Sequence, residues 1–377
     1  MHILDACYKW RNKILIIYFI GMLLSALLGY IYSISRKSNK HSFNLKISNS
    51  IIIKFKFNIW AILAMIPLTL IAGFRYGVGQ DYFYTYVPIF QEVLNGDSDE
   101  AWGDSGYILL NKFVQLFTND YSGIFLLTSI IFCVLIFLSI YENSLDIQLS
   151  IILLVCTGYY FCFLNGIRQM LTVAIFMYAI KYILKNDFKR YFLLIILASF
   201  IHLSALIYIP VYFIRNVKLN KYKMLIAIIA TFASAKIAKG LILKLILLTK
   251  YSWYINSVYD TQKQGYVIIL LNLIIFIFAI IYYKYNDMKN NLFINLQFLA
   301  VLVSAFIGEI PSANRILWNF AIASIILIPN TITKEHNRSA RIFIKTAVVI
   351  LYLVYFYYTV GINNSNNVLP YRTIFDR

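Results

Sequence analysis

Charge is scarce in this chain of 377 residues. Asp, Glu, Lys and Arg make up 13% of it, about half the ~25% usual in soluble proteins. Acid is the scarcer sign, with 16 Asp+Glu against 34 Lys+Arg and a net charge of +18. Cysteine is scarcer still. The four present (Cys7, Cys133, Cys156 and Cys162) form no C-x-x-C pair, which speaks against a disulfide framework or a zinc site. Glycine and proline number 15 and 6, so a collagen-like or Pro/Gly-rich disordered chain is excluded. What fills the sequence is apolar: 61% is hydrophobic and 17% aromatic, with 31 Tyr, 29 Phe and 5 Trp. A soluble globule cannot hide that much apolar surface. The composition therefore implies an all-α polytopic membrane protein. The basic excess, which in a soluble domain would suggest nucleic acid, follows here from the positive-inside rule, and no nucleic-acid partner is expected.

Apolar runs fall at 14–34, 57–73, 121–141, 149–165, 170–184, 191–214, 224–235, 265–283, 292–308, 316–332 and 343–360. A span needs ~20 residues, so about 10–12 transmembrane helices are expected, some tilted or broken. The first run is long and lacks a small-residue cleavage site, unlike a cleavable signal. No linker with a composition shift appears, and a single membrane domain, 1–377, is expected. The stretch 35–56 carries Arg36, Lys37, Lys40, Lys46, Lys54 and Lys56, against Lys9, Arg11 and Lys13 before the first run. The larger cluster belongs in the cytoplasm. The segment 74–120, with Arg75 and Lys112 as its bases, is then an extracytoplasmic loop. The run 191–214 has Lys185, Lys189 and Arg190 before it and Arg215, Lys218, Lys221 and Lys223 after it. A broken or re-entrant hairpin keeps both clusters inside and puts His202 at its tip, where non-helical backbone must line a wet cavity. Lys236, Lys239, Lys244 and Lys250 suggest a short span ending near 235, then an outer-surface amphipathic segment and loop over 236–264.

Ionisable residues at the membrane are costly and mark function. On this map Arg75, Arg168, His202 and Arg315 face outward. In the stretch Asn165-Gly166-Ile167-Arg168-Gln169, a helix starting near Gly166 puts Arg168, Gln169 and Thr172 on one face. A guanidinium there suits a bidentate anion such as a pyrophosphate; the alternative is a snorkelling interface arginine. Arg315 carries the same two readings, with a pair to Glu309 as its structural alternative. In Arg75-Tyr76-Gly77-Val78-Gly79-Gln80-Asp81-Tyr82, Asp81 is a candidate base towards a hydroxyl or a partner that orders the loop with Arg75. His202 is a candidate base or a satisfied core histidine. Tyr82 and its neighbouring tyrosines suit sugar stacking or the interfacial aromatic belt. No Walker loop, Rossmann unit, HExxH or GxSxG occurs, and neither metal nor cofactor is expected.

At these motifs the chain resembles the EpsG family, the Wzy-like polymerases of O-antigen and exopolysaccharide. RYGVGQDYFYTY at 75–86 is similar to that family's RYGVGTDYxxY, and DSGYILLNKF at 104–113 to its E-P-G-Y/F-x-L-L-N stretch. LNGIRQMLTVAIFMYAIKYI at 164–183 resembles its FNGIRQ helix, FIHLSALIYIPVYF at 200–213 its F-H-x-S-A-L stretch, and NRILWNF at 314–320 its late R-x-x-x-Y-F motif. The chain departs at Gln80, at Asp104-Ser105 and at Trp318-Asn319-Phe320. The resemblance implies a multi-pass protein of the bacterial cytoplasmic membrane with an outward-facing site. There a growing glycan on undecaprenyl pyrophosphate is transferred to a fresh lipid-linked repeat unit, with membrane lipids and a chain-length regulator as further partners. Arg168 and Arg315, with Gln169 and Asn165, would hold the pyrophosphate and sugars. Arg75 would order the Asp81 loop or add to the anion site. Asp81, with His202 as its rival, would activate the acceptor hydroxyl. A flippase of the lipid-linked unit and an O-antigen ligase are the competing readings.

Overall fold

The computed structural model describes residues 2–37, 43–48, 51–55, 58–97, 104–217, 220–248, 252, 255, 266–282 and 288–377. Lys40, Lys56, Lys218 and Lys250 lie outside these, as does most of 249–265. The described chain is helical apart from one antiparallel hairpin of β1 (Phe43–Ser48) and β2 (Ile51–Phe55). The helices are α1 (His2–Lys37), α2 (Ile59–Gly73), a π-helical turn (Tyr82–Tyr86), α3 (Val87–Asn95), α4 (Ser105–Gln115) and α5 (Ser122–Asn143). There follow α6 (Ile147–Cys156), α7 (Tyr159–Asn165), α8 (Ile167–Leu184), α9 (Phe188–Ile201) and a 3-10 helix (Leu203–Asn216). The last are α10 (Lys221–Leu247), α11 (Tyr266–Tyr282), α12 (Met288–Ser304), α13 (Ala313–Ala321), α14 (Ser324–Thr333) and α15 (Arg338–Phe356).

Among the described residues every apolar run of the sequence falls largely on helix. Six helices among the described residues are long and apolar enough to cross a membrane, and α6 with α7, bent by 50°, passes the same test as a pair, as a broken span or a re-entrant loop. Three shorter apolar helices, Ile59–Gly73, Leu203–Arg215 and Tyr266–Tyr282, join them. The bend between α6 and α7 sits at Gly158, whose φ of +93° is a conformation that glycine adopts without steric cost. The segment 74–120 gains detail: it carries the π-turn, α3 and α4. These pieces are too short to span and too polar to show as apolar runs. One local expectation changes: α10 runs unbroken from Lys221 to Leu247, through the point near 235 where a short span was expected to end. Lys239 of this helix reaches Glu309 at 3.8 Å.

The described residues group into two compact units. The first is Met1–Lys181, Lys189–Ile209 and Phe343–Arg377, and the second is Tyr182–Phe188 and Pro210–Ile342. In the first, α1 packs on α2 and α6, and α2 packs on α5. Polar contacts collect at the two ends of these helices. At one end Arg36 donates to the Tyr141 carbonyl at 2.6 Å, Lys345 pairs with Asp146 at 2.5 Å and Lys181 lies 3.9 Å from Glu142. At the other end sit Arg75, Asp81, Asn165, Arg168 and the segment 363–377. The expected hairpin forms. Tyr191 of α9 donates to the Tyr208 carbonyl at 2.5 Å, so the 3-10 limb runs back beside α9 with His202 at the tip. A 14-residue 3-10 helix is far longer than the usual 3–4 residues.

In the second unit α12 is buried on all sides over 290–298 and contacts α10, α11, α13 and α14. Its amides satisfy other elements. Asn295 donates to the carbonyls of Ile214 and Val217, both at 2.8 Å, which closes the end of the 3-10 helix. Gln297 donates to Asn272 Oδ1 of α11 at 3.0 Å.

Candidate functional site

The site is built on the first unit, where four of the motif segments meet. The loop after α2 turns through Gly77 and Gly79, at φ +63° and +100°. Gly79 approaches so closely that a Cβ there would lie 2.5 Å from the Leu164 carbonyl oxygen. That contact seats the loop on the junction of α7 and α8. The Asp81 N–H donates to Asn165 Oδ1 at 3.0 Å, fixing the half-buried Asp81 beside the start of α8.

Arg75 does not present a cation to this surface. It is fully buried, donates to the carbonyls of Ala72 and Leu164, and lies over the Phe125 ring at 4.7 Å. Burial lowers its pKa, while neighbouring tyrosines oppose the shift. Through the Ala72 and Leu164 carbonyls Arg75 ties the end of α2 to the end of α7. Tyr82 is buried as well; its ring stacks on Phe125 at 4.1 Å, and its hydroxyl donates to the Arg75 carbonyl at 3.3 Å. It packs beneath the loop, while Phe83 and Tyr84 are the exposed aromatics of the π-turn.

Arg168, in the first turn of α8, points to α4. Its Nη1 lies 2.7 Å from Asp104 Oδ2, with 17% and 8% of the two side chains exposed. The rings of Tyr86 and Tyr107 lie 5.8 Å apart, and both tyrosines interact electrostatically with Arg168. Gln169 is nearly buried and Thr172 fully so; the Thr172 hydroxyl donates to the Gln169 carbonyl at 2.7 Å. Gly106 brings α4 onto the hairpin tip: a Cβ there would sit 2.8 Å from the Phe200 carbonyl carbon and 3.0 Å from the Ile201 nitrogen. His202 follows directly, half-buried, with Nδ1 2.8 Å from Ser204 Oγ. Phe176 of α8 stacks on Tyr208 of the returning limb at 4.0 Å.

Sequence reasoning missed two participants. One is Asp104, which stood in a motif but was not paired with Arg168. The other is the segment 363–377, which lies along the Arg75–Asp81 loop. The Tyr76 N–H donates to the Arg372 carbonyl at 2.8 Å, the Gly79 N–H to the Asn367 carbonyl at 3.0 Å and the Ile374 N–H to the Phe74 carbonyl at 2.9 Å. Tyr18 of α1 donates to the Val368 carbonyl at 2.9 Å. Asp120 receives a two-pronged contact from Arg377, at 2.6 and 2.9 Å, and that contact holds its carboxyl down at about 2. A signal was present: Asn364, Asn366 and Asn367 all have positive φ, a conformation that asparagine tolerates better than most residues. The asparagine-rich stretch thus marked a sharply turning segment.

Arg315 belongs to the second unit. It lies half-buried in the first turn of α13, after Ser312 at φ +55°, and its carbonyl accepts from Asn319 at 3.0 Å. Glu309, weighed as the structural partner of Arg315, lies 3.8 Å from Lys239.

Searches of curated proteins and of solved structures returned no match. The family profile described as "EpsG family" matches residues 58–373, a stretch that begins at the cap of α2 and takes in the Arg75–Asp81 loop, the Arg168–Asp104 pair, the hairpin tip, Arg315 and most of the strap over the loop. The chain therefore belongs to the EpsG family, a family of Wzy-like polymerases.

Proposed function

We propose that this protein is a glycosyltransferase that polymerises lipid-linked oligosaccharide at the outer face of the bacterial cytoplasmic membrane. The observation that carries the proposal is the meeting of the Asp81 loop, the Asp104–Arg168 pair and the His202 tip in one unit. The reaction that suits them begins with a hydroxyl of a fresh lipid-linked repeat unit. Its oxygen bonds to the anomeric carbon of the growing glycan. The carbon–oxygen bond to undecaprenyl pyrophosphate breaks, and its electron pair leaves with the pyrophosphate oxygen. The proton of the attacking hydroxyl goes to the carboxylate of Asp81, whose backbone N–H is fixed on Asn165 Oδ1. Positioned base catalysis of this kind contributes roughly 10²–10⁴-fold.

Arg168 is the cation for the pyrophosphate. Its planar fork suits a two-oxygen contact, and Asp104 holds it in place so that it needs no reorganisation when charge develops. Asn165 and Gln169 line the same junction. Arg315 is proposed as a cationic contact for the lipid-linked substrate on its motif alone, and Arg315→Ala tests it separately.

Deletion of the gene tests the reading directly. The surface-glycan ladder of the deletion strain should collapse to a single-repeat band on a gel, and only the wild-type gene, not Arg168→Ala, should restore it. An unchanged ladder overturns the polymerase assignment. Repeat units trapped in the cytoplasm would indicate a flippase, and long chains retained on the lipid carrier a ligase.

A further inference from the structure

Asn366 stands in the strap that lies along the Arg75–Asp81 loop. Its neighbours close the turn that presents it. Asn364 Nδ2 donates to the Leu369 carbonyl and Asn364 Oδ1 accepts from the Leu369 N–H, both at 2.8 Å. The Asn367 N–H donates to the Asn364 carbonyl at 2.9 Å. Asn366 itself sits at φ +67°. Glycine adopts that conformation more readily than asparagine does, so the backbone alone gives no reason for a side chain here. The side chain has a partner: Asn165 Nδ2 lies 3.5 Å from Asn366 Oδ1.

Asp81 sets the direction of that contact. A backbone N–H only donates, so the end of the Asn165 amide that meets the Asp81 N–H, at 3.0 Å, is its oxygen. The nitrogen end, which only donates, is the one turned to Asn366, and Asn366 offers it an oxygen. The next strap residue reaches the loop directly, through the Asn367 carbonyl and the Gly79 N–H at 3.0 Å. Adjacent strap residues therefore hold the loop at two points, one at Gly79 and the other, through Asn165, at Asp81. We propose that Asn366 is a positioning residue for the base: it keeps the Asn165 amide oxygen turned to Asp81, and so fixes where the Asp81 carboxylate stands. This rests on the polymerase reading above. In this role Asn366 touches no substrate. The acceptor's proton still goes to Asp81, and the electron pair of the broken bond still leaves with the pyrophosphate.

Two substitutions separate the turn from the amide. Asn366→Gly keeps the positive φ and removes the oxygen. Asn366→Asp keeps an oxygen in the same place, as a charged acceptor, and aspartate also tolerates positive φ. Each full-length variant is purified and supplied with lipid-linked repeat units extracted from the deletion strain, and repeat addition is measured against their concentration. Asn366→Gly should lower kcat by about 10–10²-fold, the scale of a small misplacement of a reacting group, with KM unchanged. Asn366→Asp should stay within about threefold of wild type, because the acceptor is retained. In an Asn165→Ala background Asn366→Gly should have no further effect, since its action passes through Asn165. Wild-type kcat in Asn366→Gly overturns the proposal in favour of a turn residue alone. A raised KM at unchanged kcat overturns it in favour of a substrate contact. Equal loss in Asn366→Gly and Asn366→Asp overturns it too.

A readout independent of activity is hydrogen exchange at the Asp81 amide, followed by mass spectrometry in peptides that span the loop. Exchange should be about 2–10-fold faster in Asn366→Gly than in wild type, the range that loss of one ordinary hydrogen bond allows. It should be unchanged in Asn366→Asp. Equal exchange in wild type and Asn366→Gly overturns the proposal. Failure of the wild-type gene to restore a ladder would instead sink the polymerase reading and leave the exchange measurement standing.

Discussion

Two arginines of the motif segments meet opposite environments. Arg75 is sealed among carbonyls and aromatic rings, and a lysine there has one compact ammonium that cannot span two carbonyls or lie flat on Phe125. Arg75→Lys should therefore lose folding stability by about 1.5–3 kcal/mol, the scale of hydrogen bonds to a charged group, read as a lower unfolding midpoint in detergent. Arg168 keeps 17% of its side chain exposed and shares its charge with Asp104. Removing one member of such a pair leaves the other poorly solvated. Asp104→Asn should thus cost more in wild type than in an Arg168→Ala background, with a coupling above about 1 kcal/mol in a double-mutant cycle. Additive costs would show that the pair does not couple. Arg168 was legible from its motif and Asp104 as its partner was not. Sixty-four residues separate them, and local spacing carries no information on so distant a pairing. Arg75 was legible as a marked position, but its burial depends on Phe125 and Leu164 from other helices.

Helices were the most legible level, because apolar length is what a span requires. Elements that fail that test went unseen: the short α3 and α4, and the 363–377 strap, whose backbone bonds go to a loop rather than to a ladder. These elements set the loop's position. Gly79→Ala should unseat it, since a Cβ would meet the Leu164 oxygen at 2.5 Å and the φ of +100° is strained for alanine. The expected result is loss of the glycan ladder with the protein still present in the membrane; an active Gly79→Ala would mean that the seat is not required. The Asp120–Arg377 contact makes the outer end of the strap sensitive to acid. The folded Asp120 pKa of about 2 lies below the ~3.9 of a free aspartate. Its stabilisation is therefore complete above about pH 4 and is lost as pH falls through about 2. With 43% of Asp120 and 31% of Arg377 exposed, the contact is worth less than about 1 kcal/mol and weakens in salt. A spin label on Phe375→Cys, a position 82% exposed, should be somewhat more mobile near pH 2 than at pH 5. Adding Asp120→Asn should remove the difference between the two pH values.

At the scale of the whole chain, the charge-based topology makes a demand on contacts that it was not built from. If 35–56 lies inside, the helix count puts 142–148 and 334–345 inside, and 74–120, 165–166 and the tail outside. Contacts in the first unit obey that division. Arg36 meets Tyr141 and Lys345 meets Asp146 at one end. At the other end Asp81 meets Asn165 and Gly79 meets Asn367. No contact named here joins a residue assigned inside to one assigned outside. The contacts show which residues share an end, and the proposed sidedness rests on the Lys/Arg excess in 35–56. Cysteine labelling tests that choice. Leu116 is 77% exposed and Lys37 ends α1, so Leu116→Cys should react with a membrane-impermeant maleimide in intact cells, and Lys37→Cys only after the membrane is opened. Cys133, Cys156 and Cys162 are buried, and the unsubstituted protein supplies the background for Cys7. The reverse pattern would turn Asp81, Arg168 and His202 towards the cytoplasm, where flipped repeat units are absent, and an outward-facing polymerase would no longer fit.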